Sequence, residues 1–224
     1  MSIPILIIGK SGTGKSASMR NFKKEEIDVI NVESKPLPFR NDFDTLDSDN
    51  YREIAKAIKN SKKKVVVVDD AGYLLTNSFM RGHASQGGGN GMFNFYNQLA
   101  DDFWKLITFC KSLCKEKIIY IIMHEAKNDF GDIKPKSIGK LLDEKVTIEG
   151  MFTIVLRSVY HDGGYFFRTH TDGFDVAKSP IGMFKEDEID NDMKLVDNTV
   201  RDYYGFVDKA EVEVNKEDKK NEEN

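Results

Sequence analysis

The chain contains few cysteines, few arginines and no excess of positive charge. Its two cysteines, Cys110 and Cys114, stand four residues apart in a helical pattern, without a second Cys or His pair nearby. This spacing argues against a zinc site and against the disulfide framework of a small secreted protein. The formal net charge of −4 argues against a protein that coats nucleic acid with its whole surface. Any such contact must therefore be a local basic patch.

Long apolar runs are also missing from the sequence. No apolar run in the 224 residues approaches the length that spans a membrane. The first residues, MSIPILIIG, are apolar but short and carry no basic segment before them, which predicts a buried strand rather than a signal peptide. The composition, 40% hydrophobic and 31% charged, is typical of a soluble protein. We expect a cytoplasmic location and no membrane partner.

Strands and helices alternate along the chain, which predicts an α/β fold with a mainly parallel sheet. Continuous apolar runs predict buried strands, and apolar residues at helical spacing predict amphipathic helices. The predicted strands cover residues 3–8, 27–32, 65–68 and 118–123. The predicted helices cover residues 15–22, 44–58, 96–113 and 189–203. We expect one domain over residues 1–207 and a charged, disordered tail over residues 208–224.

Glycine-containing segments predict the interruptions between these elements. Glycines within residues 87–91 predict a break before the long helix, and residues 131–135 predict another. Apolar and polar residues alternate on both sides of Asp162-Gly163-Gly164, which predicts a late β-hairpin over residues 151–160 and 165–171.

The sequence GKSGTGKS, residues 9–16, has the spacing of a phosphate-binding loop, G-x-x-x-x-G-K-S. Its glycines allow backbone N–H groups to surround phosphate oxygens, and the N-terminus of the following helix adds positive potential. We expect Lys15 to reach the β- and γ-phosphates of ATP and Ser16 to hold Mg²⁺. The predicted nucleotide-binding residues are Gly9, Lys10, Ser11, Gly12, Thr13, Gly14, Lys15, Ser16 and Ala17.

Two aspartates follow the four valines of VVVVDD. Asp69 ends a buried strand, where an acid beside Mg²⁺ belongs, so Ser16 and Asp69 form the predicted metal site. Asp70 has two readings. It either orients a catalytic water or an adjacent subunit, or it caps the following helix, because Asp is a good N-cap residue.

Polar residues also follow two other predicted strands. Because the carboxyl ends of parallel strands line one edge of a sheet, Glu33, Asp69 and His124 are expected to converge near the phosphate-binding loop. Glu33 is the candidate for positioning the attacking water, and His124 is the candidate sensor of the γ-phosphate. Glu125 shares or replaces the sensor role in a second reading. In the alternative readings Glu33 is a solvated side chain and His124 is a capping or buried histidine.

Together these residues resemble the RecA-like ATPase core. That family has a phosphate-binding loop, a glutamate after the next strand, an acid ending a third strand and a polar sensor ending a fourth. The positions that match, in this order, are Gly9 to Ser16, Glu33, Asp69 and His124. The sensor is commonly glutamine in bacterial recombinases, so His124 is a departure. KSIGKLLDEKVTIEGMF (residues 136–152) and TDGFDVAKSPIGMF (residues 171–184) resemble small phage-encoded RecA-like ATPases, including single-strand annealing recombinases of the Sak type.

The resemblance extends to about Gly205 and implies a RecA-like P-loop NTPase core with a mainly parallel sheet, a late β-hairpin and a C-terminal helix. It implies that two loops, residues 80–92 and 125–140, hold single-stranded DNA. The residues implicated are Arg81, His83, Lys127, Lys134, Lys136 and Lys140. It also implies a homo-oligomer, ring or filament, in which Arg168 or Lys178 acts on the neighbouring subunit's γ-phosphate. Other recombination or replication proteins are implied as partners, and host cytoplasm as the location of a phage-encoded protein.

Three other functions remain open on the sequence alone. A nucleotide kinase usually carries an arginine-rich lid, and the seven arginines of this chain form no such cluster. A helicase loader of the AAA+ class usually ends its third strand with Asp-Glu, where this chain has Asp-Asp. A nucleotide-gated switch would bind ATP, hydrolyse it little and act through partners.

Overall fold

A sheet of nine strands runs through residues 1–114 and 116–206, which are the residues that the computed structural model describes. The strands are β1 (Ile3–Gly9), β2 (Ile27–Asn31), β3 (Thr45–Asp47), β4 (Val65–Asp69), β5 (Ile118–Lys127), β6 (Ile133–Pro135), β7 (Ile154–His161), β8 (Gly164–Arg168) and β9 (Glu188–Asp190). The α-helices are α1 (Tyr51–Asn60), α2 (Tyr73–Gly82), α3 (Asn90–Lys111) and α4 (Met193–Tyr204).

The strand order across the sheet is β3-β2-β4-β5-β1-β7-β8-β9, and β6 pairs with β5 outside this path. Neighbours from β3 to β7 are parallel, and β8 and β9 are added antiparallel. The register sets Gly9 beside His124 and Asn31 beside Asp69. The predicted fold class, an α/β P-loop NTPase core with a mainly parallel sheet, a late β-hairpin and a C-terminal helix, is confirmed.

Apolar residues cover both faces of the central strands, as the continuous apolar runs require. Alternate residues of β1 point to opposite faces, so Leu6 packs on one side and Ile7 on the other. Helices α1, α2 and α3 cover the first face. The second face is covered by α4 and by the 3₁₀ helix Ser16–Asn21, which contributes the buried Met19. Because both faces are covered, the polar groups lie at the carboxyl edge of the sheet.

The first two predicted helices differ from the structure. Residues 15–22 were expected to be α-helical, and they form only the 3₁₀ helix Ser16–Asn21. The prediction over residues 44–58 merges strand β3 with helix α1. The helix begins at Tyr51 because the Asn50 side chain accepts hydrogen bonds from the N–H groups of the first turn.

Later boundaries differ for similar local reasons. Helix α4 begins at Met193 because Asp192 caps it, so residues 188–190 are free to form β9 beside β8. It ends at Gly205, where the left-handed φ of 68° suits glycine. The long helix is confirmed as α3, although it begins at Asn90 and so includes Gly91. Helix α2 was not predicted.

The two segments expected to be DNA-binding loops contain regular structure. Residues 80–92 hold the end of α2, a 3₁₀ turn at His83–Ser85 and the start of α3. Residues 125–140 hold the end of β5 and strand β6, which pairs antiparallel with it. No helix in the described part of the chain is long and apolar enough to cross a membrane. The tail predicted over residues 208–224 lies outside the described residues.

Candidate functional site

A cavity of about 670 Å³ opens at the carboxyl edge of the sheet. We call it the edge cavity. Its wall is formed by the loop after β1, the segment after β2, the end of β4, His124 within β5, strand β8 and the residues before α4. Of the predicted nucleotide-binding residues, the wall contains Ser11, Gly12, Gly14, Lys15, Ser16 and Ala17. Gly9, Lys10 and Thr13 belong to the same loop but do not line the cavity.

Close packing shapes the loop after β1. A Cβ atom added to Gly9 would lie 2.7 Å from the carbonyl oxygen of Ser158, so only glycine fits there. Gly14 has a φ of 91°, and an added Cβ would lie 3.0 Å from Asn191 Oδ1. The Ser158 hydroxyl donates to the carbonyl oxygen of Thr13 at 2.5 Å, which ties the loop to β7.

Lys15 points its ammonium group into the curve of this loop. Its Nζ donates to the carbonyl oxygen of Lys10 at 2.7 Å, and the residue is only 6% exposed. Burial lowers the pKa of Lys15, while the nearby Asp69 and Asp70 act in the opposite direction. A lysine ammonium has three donor hydrogens, so donors remain for phosphate oxygens.

Ser16 and Asp69 meet at the base of the edge cavity. The Ser16 hydroxyl donates to Asp69 Oδ1 at 2.9 Å. Burial, together with the neighbouring charge of Asp70, raises the pKa of Asp69 to about 6. Within residues 1–114 and 116–206 no group of three or more His, Cys, Asp or Glu side chains could hold a metal ion alone. One carboxylate and one hydroxyl suit Mg²⁺, which commonly completes its shell with phosphate oxygens and water.

The Asp70 carboxylate lies between the side chains of Lys35 and His124 on the wall of the edge cavity. Its carboxylate contacts Lys35 Nζ at 2.6 Å and His124 Nε2 at 3.5 Å. Burial alone would raise the pKa of Asp70, but the hydrogen bonds from His124 and Lys35 outweigh it and lower the pKa to about 2. The side chain caps no helix, because α2 has Gly72 at its N-cap position without a side-chain cap. The capping reading of Asp70 is therefore wrong.

His124 and Glu125 face different surroundings although they are neighbours on β5. His124 lines the edge cavity and packs edge-on against the Tyr73 ring, with 5.9 Å between the ring centroids. The Glu125 carboxylate accepts two hydrogen bonds from Arg157, at 2.8 and 3.1 Å, and its side chain is 2% exposed. Of the two sensor candidates, the structure brings only His124 to the wall of the edge cavity.

Glu33 does not line the edge cavity. Its Oε1 accepts a hydrogen bond from Asn77 Nδ2 on α2 at 3.0 Å. Ser34, with a left-handed φ of 53°, turns the chain after β2, so the next residue, Lys35, reaches the cavity instead. The segment ESKP, residues 33–36, offered one signal for Lys35, because this residue follows the end of β2 as Glu33 does. The cavity residues that sequence reasoning missed are Arg20, Asn31, Lys35, Pro36, Leu37, Pro38, Tyr165 and Asn191.

Four exposed lysines surround a groove next to the edge cavity. A cavity of about 400 Å³ shares Ser11 and His124 with the edge cavity, and shares Lys136 and Ser137 with a third of about 380 Å³. We call the third cavity the lysine groove, after its four lysines: Lys127, Lys134, Lys136 and Lys140. Its acidic residues are Asp132 and Asp143, so positive charge predominates.

The remaining predicted site residues lie away from both cavities. Arg81 is paired with Asp49, and His83 stacks on Phe79 with 5.0 Å between ring centroids. Neither lines the edge cavity or the lysine groove.

The two candidates for trans-acting cations also have contacts within the chain. Arg168 pairs with three carboxylates: Asp172, Asp175 and Glu188. Lys178 is held beside β7 by two backbone hydrogen bonds with Val155, at 2.8 and 2.9 Å. Neither residue lines the edge cavity.

Comparison with protein families matches residues 1–181 of the chain to a family described as an AAA domain. The matched range contains the loop after β1, both aspartates at the end of β4, and His124. A comparison with curated proteins found no match.

Proposed function

The chain belongs to the AAA domain family, and from this premise we propose that it is a Mg²⁺-dependent ATPase that acts on single-stranded DNA. Its domain is of the P-loop ATPase type. The proposal of ATP hydrolysis is supported by one observation above all. Lys15 and Ser16 from the loop after β1, Asp69 and Asp70 at the end of β4, and His124 of β5 meet around one cavity of a size suited to a nucleotide.

Each of these side chains has a role that its surroundings favour. Lys15 contacts the β- and γ-phosphates, and Ser16 and Asp69 hold Mg²⁺, which neutralises phosphate charge when it is bound. Asp70 orients the attacking water or an adjacent subunit, and His124 detects the γ-phosphate. Glu33 also remains a candidate for positioning water, and this role requires its carboxylate to leave Asn77 when ATP binds.

The lysine groove supports the choice of single-stranded DNA. A groove with excess positive charge tracks a phosphate backbone, and its neighbour cavity shares His124 with the edge cavity. Arg81 and His83 remain candidates for additional contacts if the strand extends beyond the groove. The resemblance to phage RecA-like ATPases supports a role in phage recombination, annealing or replication in the host cytoplasm. It also supports a ring or filament, with Arg168 or Lys178 acting between subunits.

Steady-state ATP hydrolysis with and without single-stranded DNA tests this proposal. We expect turnover to require Mg²⁺ and to rise with DNA, and the rise to fall steeply with salt because lysine–phosphate contacts release counterions. The double variant Lys134→Ala/Lys136→Ala should lose most of the DNA stimulation. Lys105→Ala is the control and should keep it, because this lysine is exposed on α3 and is paired with Asp101 on the same helix. Hydrolysis that is indifferent to DNA at low salt would exclude the DNA role.

A nucleotide-gated switch is the second candidate function. The observation in its favour is that Glu33, the expected water-positioning residue, is bound by Asn77 outside the edge cavity. A protein without a positioned water would bind ATP and turn it over slowly. Tight ATP binding with negligible turnover, with and without DNA, would select this function over the ATPase.

A further inference from the structure

Lys35 is a second lysine in the edge cavity, after Lys15 of the phosphate-binding loop. We propose that Lys35 binds the γ-phosphate of ATP within the same subunit, and that Asp70 holds its ammonium group when no nucleotide is bound. This inference rests on the proposed ATP site and identifies a further phosphate-binding residue in it.

The backbone of Lys35 is held by a buried side chain. Asn31, at the end of β2, donates from Nδ2 to the carbonyl oxygen of Lys35 at 2.7 Å and accepts from the N–H of Lys35 at 3.3 Å. Asn31 is 7% exposed. Pro36 and Pro38 follow, and each fixes its own φ. The Asn31 amide therefore bonds both the N–H and the C=O of Lys35. These two hydrogen bonds fix the position from which the Lys35 side chain extends.

The side chain of Lys35 remains free to change partners. Among the described residues its Nζ has one carboxylate partner, Asp70, at 2.6 Å, and lies 5.4 Å from the centroid of the Tyr73 ring. More than half of the Lys35 side chain is exposed, at 55%. The hydrogen bond to Asp70 raises the pKa of Lys35, so the group stays charged. Because this side chain is largely exposed, its ammonium group can shift towards a phosphate oxygen, while the Asp70 carboxylate, only 11% exposed, keeps His124 Nε2 at 3.5 Å as a second partner.

The charges around Asp70 favour an exchange when ATP enters. The triphosphate adds several negative charges beside Asp69 and Asp70, and Mg²⁺ at the Ser16–Asp69 position offsets only part of them. An ammonium group with three donors can contact a phosphate oxygen while it remains close to the Asp70 carboxylate. ADP lacks the γ-phosphate and leaves Lys35 on Asp70. The contact therefore distinguishes the two nucleotides.

A cation supplied in this way comes from the same subunit as the phosphate-binding loop. Arg168, the arginine considered for action between subunits, is already paired with Asp172, Asp175 and Glu188 in its own chain. Lys35 needs no such rearrangement of a carboxylate cluster.

Calorimetric titration of ADP and of a non-hydrolysable ATP analogue, each with Mg²⁺, tests the proposal. The variants are Lys35→Ala and Lys35→Arg. The control is Lys64→Ala, which removes a lysine of nearly equal exposure, 56%, whose one carboxylate partner in the part of the chain that the structure describes is Glu116. We expect Lys35→Ala to weaken binding of the analogue about tenfold or more, as expected for one charged hydrogen bond, with ADP binding unchanged. Lys35→Arg should keep most of the preference for the triphosphate, and Lys64→Ala all of it.

Two results would overturn the proposal. If Lys35→Ala weakens the analogue and ADP equally, Lys35 acts only by supporting the cavity; if neither changes, the γ-phosphate has no contact with Lys35. Thermal unfolding of each variant without nucleotide shows whether the fold is intact. Lys15→Ala should lose the binding of both ADP and the ATP analogue, so it tests the proposed ATP site independently of Lys35. A wild-type protein that binds neither nucleotide would refute the ATP site itself, and the role of Lys35 with it.

Discussion

Asp69→Asn is expected to stabilise the free protein while removing its response to Mg²⁺ and ATP. Burial and the charge of Asp70 raise the pKa of Asp69 from 3.8 to about 6, so the ionised carboxylate is unfavourable in the fold. Two pKa units correspond to about 3 kcal/mol at neutral pH. Asparagine removes this cost and keeps an oxygen for Ser16, but it adds a buried NH₂ group that costs about 1–3 kcal/mol if unpaired. The net gain is about 1 kcal/mol, or a rise of about 2–4 °C in Tm.

The sign of the effect depends on pH. The folded protein binds a proton at Asp69 that the unfolded chain releases between pH 3.8 and about 6, so wild-type stability falls as pH rises through this window. Asp69→Asn should therefore be more stable than the wild type above about pH 6, whereas below pH 3.8 only the cost of its buried NH₂ group remains and it should be the less stable protein. Thermal unfolding at pH 7 and pH 4 measures this difference directly.

The same unfolding experiment with Mg²⁺ and ATP should give the opposite order of stability. A ligand at one hundred times its Kd stabilises a folded protein by about 2.7 kcal/mol, and the wild type should gain this amount. Asp69→Asn should gain little, because it lacks the carboxylate for the metal. A variant that is destabilised without ligand at pH 7, or that gains as much from Mg²⁺ and ATP as the wild type, would refute the assignment of Asp69.

Three further predictions concern the phosphate-binding loop and Glu33. Lys15→Ala should lose ATP binding and turnover, and wild-type activity in a turnover assay would contradict the site. Glu33→Gln should bind ATP but hydrolyse it slowly; unchanged turnover would remove Glu33 from the mechanism. Gly14→Ala should lower both stability and ATP affinity, by about 1–3 kcal/mol in stability, because φ is 91° and the added Cβ meets a neighbouring side chain at 3.0 Å. Gly12→Ala, with φ of 80° and no neighbour within 4 Å, is the matched control and should cost less in urea unfolding.

The parts of the fold that could be predicted are those that a local pattern specifies. The four valines of β4 predicted a buried strand, and a strand buried on both faces must read as a continuous apolar run. The convergence of Lys15, Asp69 and His124 followed from the shared carboxyl edge of parallel strands. That these residues meet could be predicted without knowing any contact between residues far apart in the sequence.

The direction of side chains after a strand end could not be predicted in the same way. Ser34 adopts a left-handed φ, which is uncommon for serine and leaves no mark in the sequence. This one residue decides that Glu33 turns towards Asn77 and that Lys35 reaches the edge cavity. The residues from β8 and the start of α4, Tyr165 and Asn191, arrive from a hairpin far along the chain, and no periodicity connects them with the loop after β1.

Helix and strand boundaries were obscured by competition between local and tertiary effects. Residues 45–47 fit a helical pattern, but β2 offers them a strand partner, and they pair with it as β3. Asn50 then begins α1 by capping it. The helix after the phosphate-binding loop is reduced to 3₁₀ form over Ser16–Asn21, where Met19 is buried among apolar side chains of the sheet and α4.

The most direct test of the central claim is a crystal structure with Mg²⁺ and a non-hydrolysable ATP analogue. We expect the triphosphate inside the loop of residues 9–16, with Mg²⁺ between the Ser16 hydroxyl and the Asp69 carboxylate. A nucleotide bound elsewhere, or a metal without contact to Asp69, would contradict this claim.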